Sequence, residues 1–147
     1  NNEPNTYVVA MTMNEDEITA AIANSGSGMV ASDGTVKSHA GHPRVAGTFP
    51  RVLGKYVREE KALSLMDALK KMTLIPADRL DLVNKGRIAE GCDADITIFD
   101  PEKLQDKATF DKPNLAPEGI EYVLIGGEIA AQNCRIVKNN CGKAVRK

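Results

Sequence analysis

Residues 29–51 read MVASDGTVKSHAGHPRVAGTFPR. A short apolar run, Met29-Val30-Ala31, stops at Ser32-Asp33-Gly34. The following segment holds both histidines of the chain, His39 and His42, together with Arg44 and Arg51. From Thr35 to about Glu60 the pattern is irregular, with Gly41, Pro43, Gly47, Pro50 and Gly54 spread through it. A loop of that length inside a compact domain is uncommon and usually functional.

Upstream of this stretch, Tyr7-Val8-Val9-Ala10-Met11 is a β-branched run that suits a buried strand. Asn14 can cap a helix whose first turn is acidic (Glu15, Asp16, Glu17) and whose apolar face is Ile18, Ala21 and Ile22. Asn24-Ser25-Gly26-Ser27-Gly28 breaks that helix before the strand expected at Met29–Ala31. Strand, helix, strand in this order predicts an α/β architecture, a parallel sheet with helices outside it. Ser25-Gly26-Ser27-Gly28 precedes a strand, whereas phosphate-binding turns run from strand into helix, so it is a connector.

Downstream, Ser64 and Asp67 resemble a capping box, and Leu65, Met66, Leu69 and Met72 give the helix after them an apolar face. Pro76 suits the first position of a short helix over Ala77 to Leu80. The period then changes from helical to alternating. Ala94 to Phe99 reads as a strand closed by Asp100-Pro101, and Gly126-Gly127 between Ile120–Ile125 and Glu128–Ala131 is a hairpin signal. A boundary near residue 81 separates an α/β part, 1–80, from a β part, 81–147.

Composition limits the function classes. The chain has 147 residues, 42% hydrophobic, 27% charged and 4% aromatic, with a formal charge of −1. That describes one globular domain with a core. No apolar run approaches the roughly 20 residues of a membrane span. Near-neutral charge with few aromatic residues argues against a nucleic-acid surface. Cys92, Cys134 and Cys141 are odd in number and form no C-x-x-C pair, which suggests reduced thiols and a cytoplasmic protein. The chain opens Asn1-Asn2-Glu3-Pro4 and reads as a piece of something longer.

Five segments, in order, carry a resemblance: GMVASDG, HPRVAGTFPRVLGKY, LMDALKKMTLIPADRLDL, KGRIAEGCDADITIFDPE and GIEYVLIGGEIA. They look like the carboxyl-terminal region of the N-acyl-D-amino-acid deacylases (D-aminoacylases) of the amidohydrolase superfamily. His42-Pro43-Arg44 followed by Gly47-Thr48-Phe49-Pro50-Arg51 points to the deacylases, while Gly91 to Asp100 is a wider superfamily pattern. A dihydroorotase-like member would carry histidine or proline soon after the strand-end aspartate, where Gly34 and Thr35 stand.

The resemblance implies a (β/α)8 barrel joined to a small β-domain. Since each strand-plus-helix unit takes about 30 residues, residues 1–80 would be the last two barrel units, with Val8–Met11 as the seventh strand and Met29–Ser32 as the eighth. The rest would be the C-terminal strands of the β-domain. By position in the family motif, Asp33 would be catalytic, moving a proton from the attacking water to the departing amine beside a bound zinc. Arg44 would grip the substrate α-carboxylate through two parallel hydrogen bonds. Gly34 would let the backbone turn after Asp33, and His42 and Arg51 would support the loop. The family's zinc ligands lie on earlier strands, so no complete metal site is expected, and the piece alone is expected to be inactive.

Read from spacing alone, Ser32-Asp33-Gly34 is also ordinary turn chemistry, and Arg44 is also a loop arginine bonding to backbone. His39 and His42 with Asp33 have enough ligands for a metal, although a Gly- and Pro-rich segment does not converge them as a helix would. A small-molecule N-acyl amino acid is the expected partner, with no nucleic acid and no membrane, and exposed sheet edges make self-association possible. Two alternatives stay open: a hydantoinase- or dihydroorotase-like cyclic amidase, and a non-catalytic binding module.

Overall fold

A computed structural model describes residues 12–24, 28–35 and 41–145. Four α-helices, one π-helical segment and a four-stranded antiparallel sheet make up the described residues.

Helix α1 (Glu15–Ala23) starts where its cap predicts. The Asn14 side chain accepts from the Glu17 N–H and the Glu17 carboxylate returns the bond to the Asn14 N–H, satisfying two N-terminal donors at once. Ile18 and Ile22 are half-buried while Ala21 is exposed. The expected seventh strand, Val8–Met11, lies outside the described residues.

Met29–Ser32, expected as a strand, has no strand partner among the described residues. Its backbone is held by a helix instead: the Val30 N–H donates to the Lys71 carbonyl at 3.1 Å. An apolar run becomes a strand only when a neighbouring edge takes up its N–H and C=O groups.

The expected loop from Thr35 to Glu60 is largely helical. Helix α2 (Arg44–Arg51) passes without a break into a π-helical segment, Val52–Glu59, that ends on an i→i+5 bond from the Glu60 N–H to the Lys55 carbonyl, 2.8 Å. Pro43 just before α2 is the helix-start signal that the density of glycine and proline obscured. Pro50 supplies no N–H to the last turn of α2, and the coil widens just beyond it.

Gly47 and Gly54, two turns apart, lie on one face of this continuous coil, and the segment Leu104–Asp106 crosses there. A methyl group at Gly54 would meet the Leu104 carbonyl oxygen at 2.8 Å, and one at Gly47 would collide with the Asp106 carboxylate. These glycines are contact positions. Arg58 fastens the crossing, donating to the carbonyls of Leu104 (2.5 Å) and Pro101 (3.2 Å).

Ser64 caps α3 (Leu65–Met72), accepting from the Asp67 N–H at 3.1 Å and donating to the Asp67 carboxylate at 2.7 Å. Leu65, Leu69 and Met72 of the expected apolar face pack on the core. Ala68 is fully buried and Lys71 is 5% exposed, while Met66 is 60% exposed. Helix α4 (Leu74–Arg79) begins three residues earlier than expected, with Pro76 inside its first turn, where no N–H is needed.

The sheet is a meander of β1 (Ile96–Phe99), β2 (Ile120–Ile125), β3 (Glu128–Gln132) and β4 (Arg135–Ile136). Gly126 and Gly127 both have positive φ (57° and 82°), the backbone a tight hairpin turn demands. The turn is also tied sideways, with the Gly126 N–H on the Asp95 carboxylate at 2.8 Å and the Gly127 N–H on the Ala94 carbonyl at 3.0 Å. Strand β4 was not foreseen; its turn uses Asn133 and Cys134, both at positive φ. Val52, Leu53, Ala68 and Leu104 form the core, and Phe99 and Ile120 from the sheet pack on it beside Val30, Val57 and Leu69.

Two outcomes follow from this packing. Alanine is normally the better helix former by about 1 kcal/mol, yet Gly54→Ala should destabilise by about 1–3 kcal/mol, because the Leu104 backbone cannot step aside. A denaturant melt showing higher stability would refute the contact. The second concerns Asp95, held below the usual carboxylate range by its bond from Lys85 and then by the Gly126 N–H. A depressed carboxyl stabilises the fold above its unfolded value and loses that contribution as pH falls through the folded one. Asp95→Ala, at a half-exposed site, should therefore cost about 1 kcal/mol or less at neutral pH. That difference should begin to shrink as pH falls below about 4 and be lost only once the folded value is passed; thermal melts of the two proteins that stay equally far apart at low pH would contradict the assignment.

Candidate active site

Asp33 and Arg44 meet. Arg44 Nη2 lies 2.9 Å from Asp33 Oδ2, with the side chains 44% and 86% exposed. An ion pair this open contributes about 0–1 kcal/mol to stability, so either group can exchange its partner for a ligand at little cost to the fold.

Backbone constraints aim the two residues. Asp33, and not Gly34, takes the positive φ (47°), a conformation aspartate tolerates better than most residues. At Gly34 the missing side chain serves a close approach, since a Cβ there would sit 2.9 Å from the Val45 Cα at the start of α2. The Gly34 N–H donates to Ser32 Oγ at 3.2 Å, closing the turn.

Arg44 is the first residue of α2, and His42 sets that start. His42 Nδ1 accepts from the Arg44 N–H at 3.1 Å, its carbonyl accepts from the Val45 N–H at 3.1 Å, and its ring meets Phe110 edge-on with centroids 5.2 Å apart. An accepting Nδ1 leaves the proton of the neutral ring on Nε2. Arg51 faces elsewhere, toward Asp106, whose Oδ2 lies 3.4 Å from Arg51 Nη1 while its Oδ1 accepts from the Ala108 N–H at 2.8 Å. His39 lies outside the described residues.

Phe110, against His42, and Asp106, against Arg51, carry no local signal in the sequence; both act across more than fifty residues of chain. A second polar cluster ties α1 to the π-helical segment. Glu15 accepts from Lys55 Nζ (2.5 Å) and the Tyr56 hydroxyl (3.3 Å). The Lys55 bond holds the Glu15 carboxyl below its usual range, the Glu15 bond raises Lys55, and burial raises the Tyr56 phenol. Its groups are engaged with one another, which suits a structural clamp.

Among the described residues, no three of His, Cys, Asp and Glu converge as metal ligands. Among the described residues, no helix is long and apolar enough to cross a membrane, and the three cysteines are free thiols.

The amidohydrolase family pattern matches residues 13–131. The N-acyl-D-glutamate deacylase of Alcaligenes xylosoxydans xylosoxydans is 48% identical over 99 residues, which are 67% of this chain and 20% of that protein. The D-aminoacylase of the same organism is 35% identical over 135 residues, 92% of this chain and 28% of that one. Among solved structures, the N-acyl-D-glutamate deacylase of Bordetella bronchiseptica, complexed with zinc and a phosphonate mimic of the tetrahedral intermediate, has a TM-score of 0.84 at 36% identity, covering 92% of this chain and 28% of its own. A D-aminoacylase crystal structure gives 0.83 at 35% identity, covering 88% and 27%. The chain thus spans between a fifth and just over a quarter of the length of these relatives. It belongs to the amidohydrolase family, and the relatives it matches there are N-acyl-D-amino-acid deacylases.

Proposed function

We propose that this chain is the carboxyl-terminal part of a metal-dependent enzyme that hydrolyses N-acyl-D-amino acids, with Asp33 moving the proton and Arg44 binding the substrate carboxylate. Residues 1–80 would close the barrel as its last two strand-plus-helix units, and 81–147 would be the C-terminal part of the small β-domain. Zinc would be held by residues other than those described. A reducing compartment such as the cytoplasm is in keeping with three free thiols.

One observation supports the site assignment above the others: the carboxylate and the guanidinium proposed for these roles lie 2.9 Å apart, on a sharp turn and at a helix start that pack against each other. In the reaction, water oxygen adds to the acyl carbon, the C–N bond breaks, and the proton released by the water ends on the leaving nitrogen. Asp33 would take that proton and hand it on, because an unprotonated amine leaves badly. Arg44, with two parallel N–H donors, matches a planar carboxylate in place of its present partner.

The test is amine release by the full-length enzyme from matched N-acetyl D- and L-amino acids. D-selective turnover should fall about 10²- to 10⁴-fold in kcat in Asp33→Ala. Arg44→Ala should act mainly on KM, raising it about 10- to 100-fold for the loss of charge-assisted hydrogen bonds. Ring-opening of cyclic amides without turnover of open-chain substrates would replace this reading with a cyclic amidase; no turnover of either would leave a binding module.

A further inference from the structure

Lys71 has a role that helix α3 does not require. It stands in the last turn of α3, where a lysine usually reaches into solvent, yet it is 5% exposed. Among the described residues it forms no ion pair with a carboxylate. Its ammonium donates instead to the carbonyl of Asn24, the C-terminal cap of α1, where the helix dipole favours a cation. Its own backbone carbonyl accepts from the Val30 N–H at 3.1 Å. One residue thus grips the chain at Asn24 and again at Val30. Between these points Gly28 passes so close that an added Cβ would meet Lys71 Nζ at 3.2 Å. Three residues beyond the second grip comes Asp33.

We infer that Lys71 is a positioning residue for Asp33: by holding Asn24 with its ammonium and Val30 with its carbonyl, it fixes the segment that delivers the Asp33 carboxylate to the reacting groups. This rests on the assignment of proton transfer to Asp33. A buried ammonium is costly unless its donors are used, and a hydrophobic side chain would fill the same space without that cost. The ammonium does what a hydrophobic side chain cannot, which is to fix the end of α1 relative to α3, beside Gly28 on the chain that leads to Asp33; the grip on Val30 belongs to the backbone. Both grips are made on the chain that leads to Asp33 and neither is made to Arg44, so the effect should fall on the chemical step and leave KM unchanged.

The experiment is steady-state turnover of an N-acetyl-D-amino acid by the full-length enzyme, with rates expressed per active site titrated by a tight-binding inhibitor. Lys71→Met, which keeps the length and removes the ammonium, should lower kcat about 10-fold at unchanged KM, since small misplacements of a reacting group carry losses of that size. Gly28→Ala, whose methyl presses on the ammonium without removing it, should do the same more weakly, about 3-fold. It carries the test if Lys71→Met fails to accumulate. In an Asp33→Asn background, both substitutions should have almost no further effect, the non-additivity of residues acting through one group. A purely structural role would lower the titrated number of sites and leave kcat per site unchanged, and that result would overturn the inference. So would losses that multiply with Asp33→Asn, or a rise in KM in place of the fall in kcat. Full turnover in Asp33→Asn itself would overturn the assignment of Asp33 and the inference with it, whereas a dead Asp33→Asn beside an unaffected Lys71→Met and Gly28→Ala would overturn the inference alone.

Discussion

The close approach of Leu104–Asp106 to the coil formed by α2 and its π-helical continuation is the constraint from which the other features follow. Backbone can lie against a helix at that range only where side chains are missing, and Gly47 and Gly54 leave them out two turns apart. Once that segment is so near, the Arg58 guanidinium can reach two carbonyls, Leu104 can enter the core between Val52, Leu53 and Ala68, and Asp106 can meet Arg51. A side chain at Gly54 would press on the Leu104 carbonyl and strain the crossing.

The candidate site inherits its order from the same packing. Arg44 heads α2; Asp106, from the segment that follows β1, meets α2 at Gly47 and Arg51, and Phe110 meets the His42 ring just before it. Asp33 comes from the other side, on a chain held by Val30 and Lys71 and pressed onto Val45 at Gly34. The exposed ion pair between them is therefore set by the packing of the two segments, and its own small energy has little part in holding the fold together. Such an arrangement leaves charged groups oriented yet free to change partners.

Much of this was legible where the signal is local. Asn14 and Ser64 announce their helices because a cap acts within three residues, and Gly126-Gly127 announces a hairpin because the turn needs two positive φ values in a row. The motif around Asp33 and Arg44 led to the family. What remained hidden depends on distant chain. Gly47 and Gly54 look like helix breakers until Leu104–Asp106 is known to pass over them, and the bond from the Val30 N–H to the Lys71 carbonyl joins residues far apart in the chain. Lys71 falls at a position that a reading of α3 gives to solvent; its burial is decided by the end of α1, forty-seven residues away. Arg44 and Asp33 could be nominated from sequence, but their meeting could not, because it is fixed by the turn at positive φ and by His42 at the helix start.

The central claim is that helices and strands share one cooperative unit centred on Leu104, which is 3% exposed. Amide hydrogen exchange on the intact chain, beside Leu104→Ala, tests it most directly. Removing that side chain should cost about 2–5 kcal/mol, and the account predicts that protection falls together across Arg44–Glu59, α3 and the strands β1 and β2. Loss confined to the strands, with Arg44–Glu59 as protected as before, would show two independent units and contradict the account.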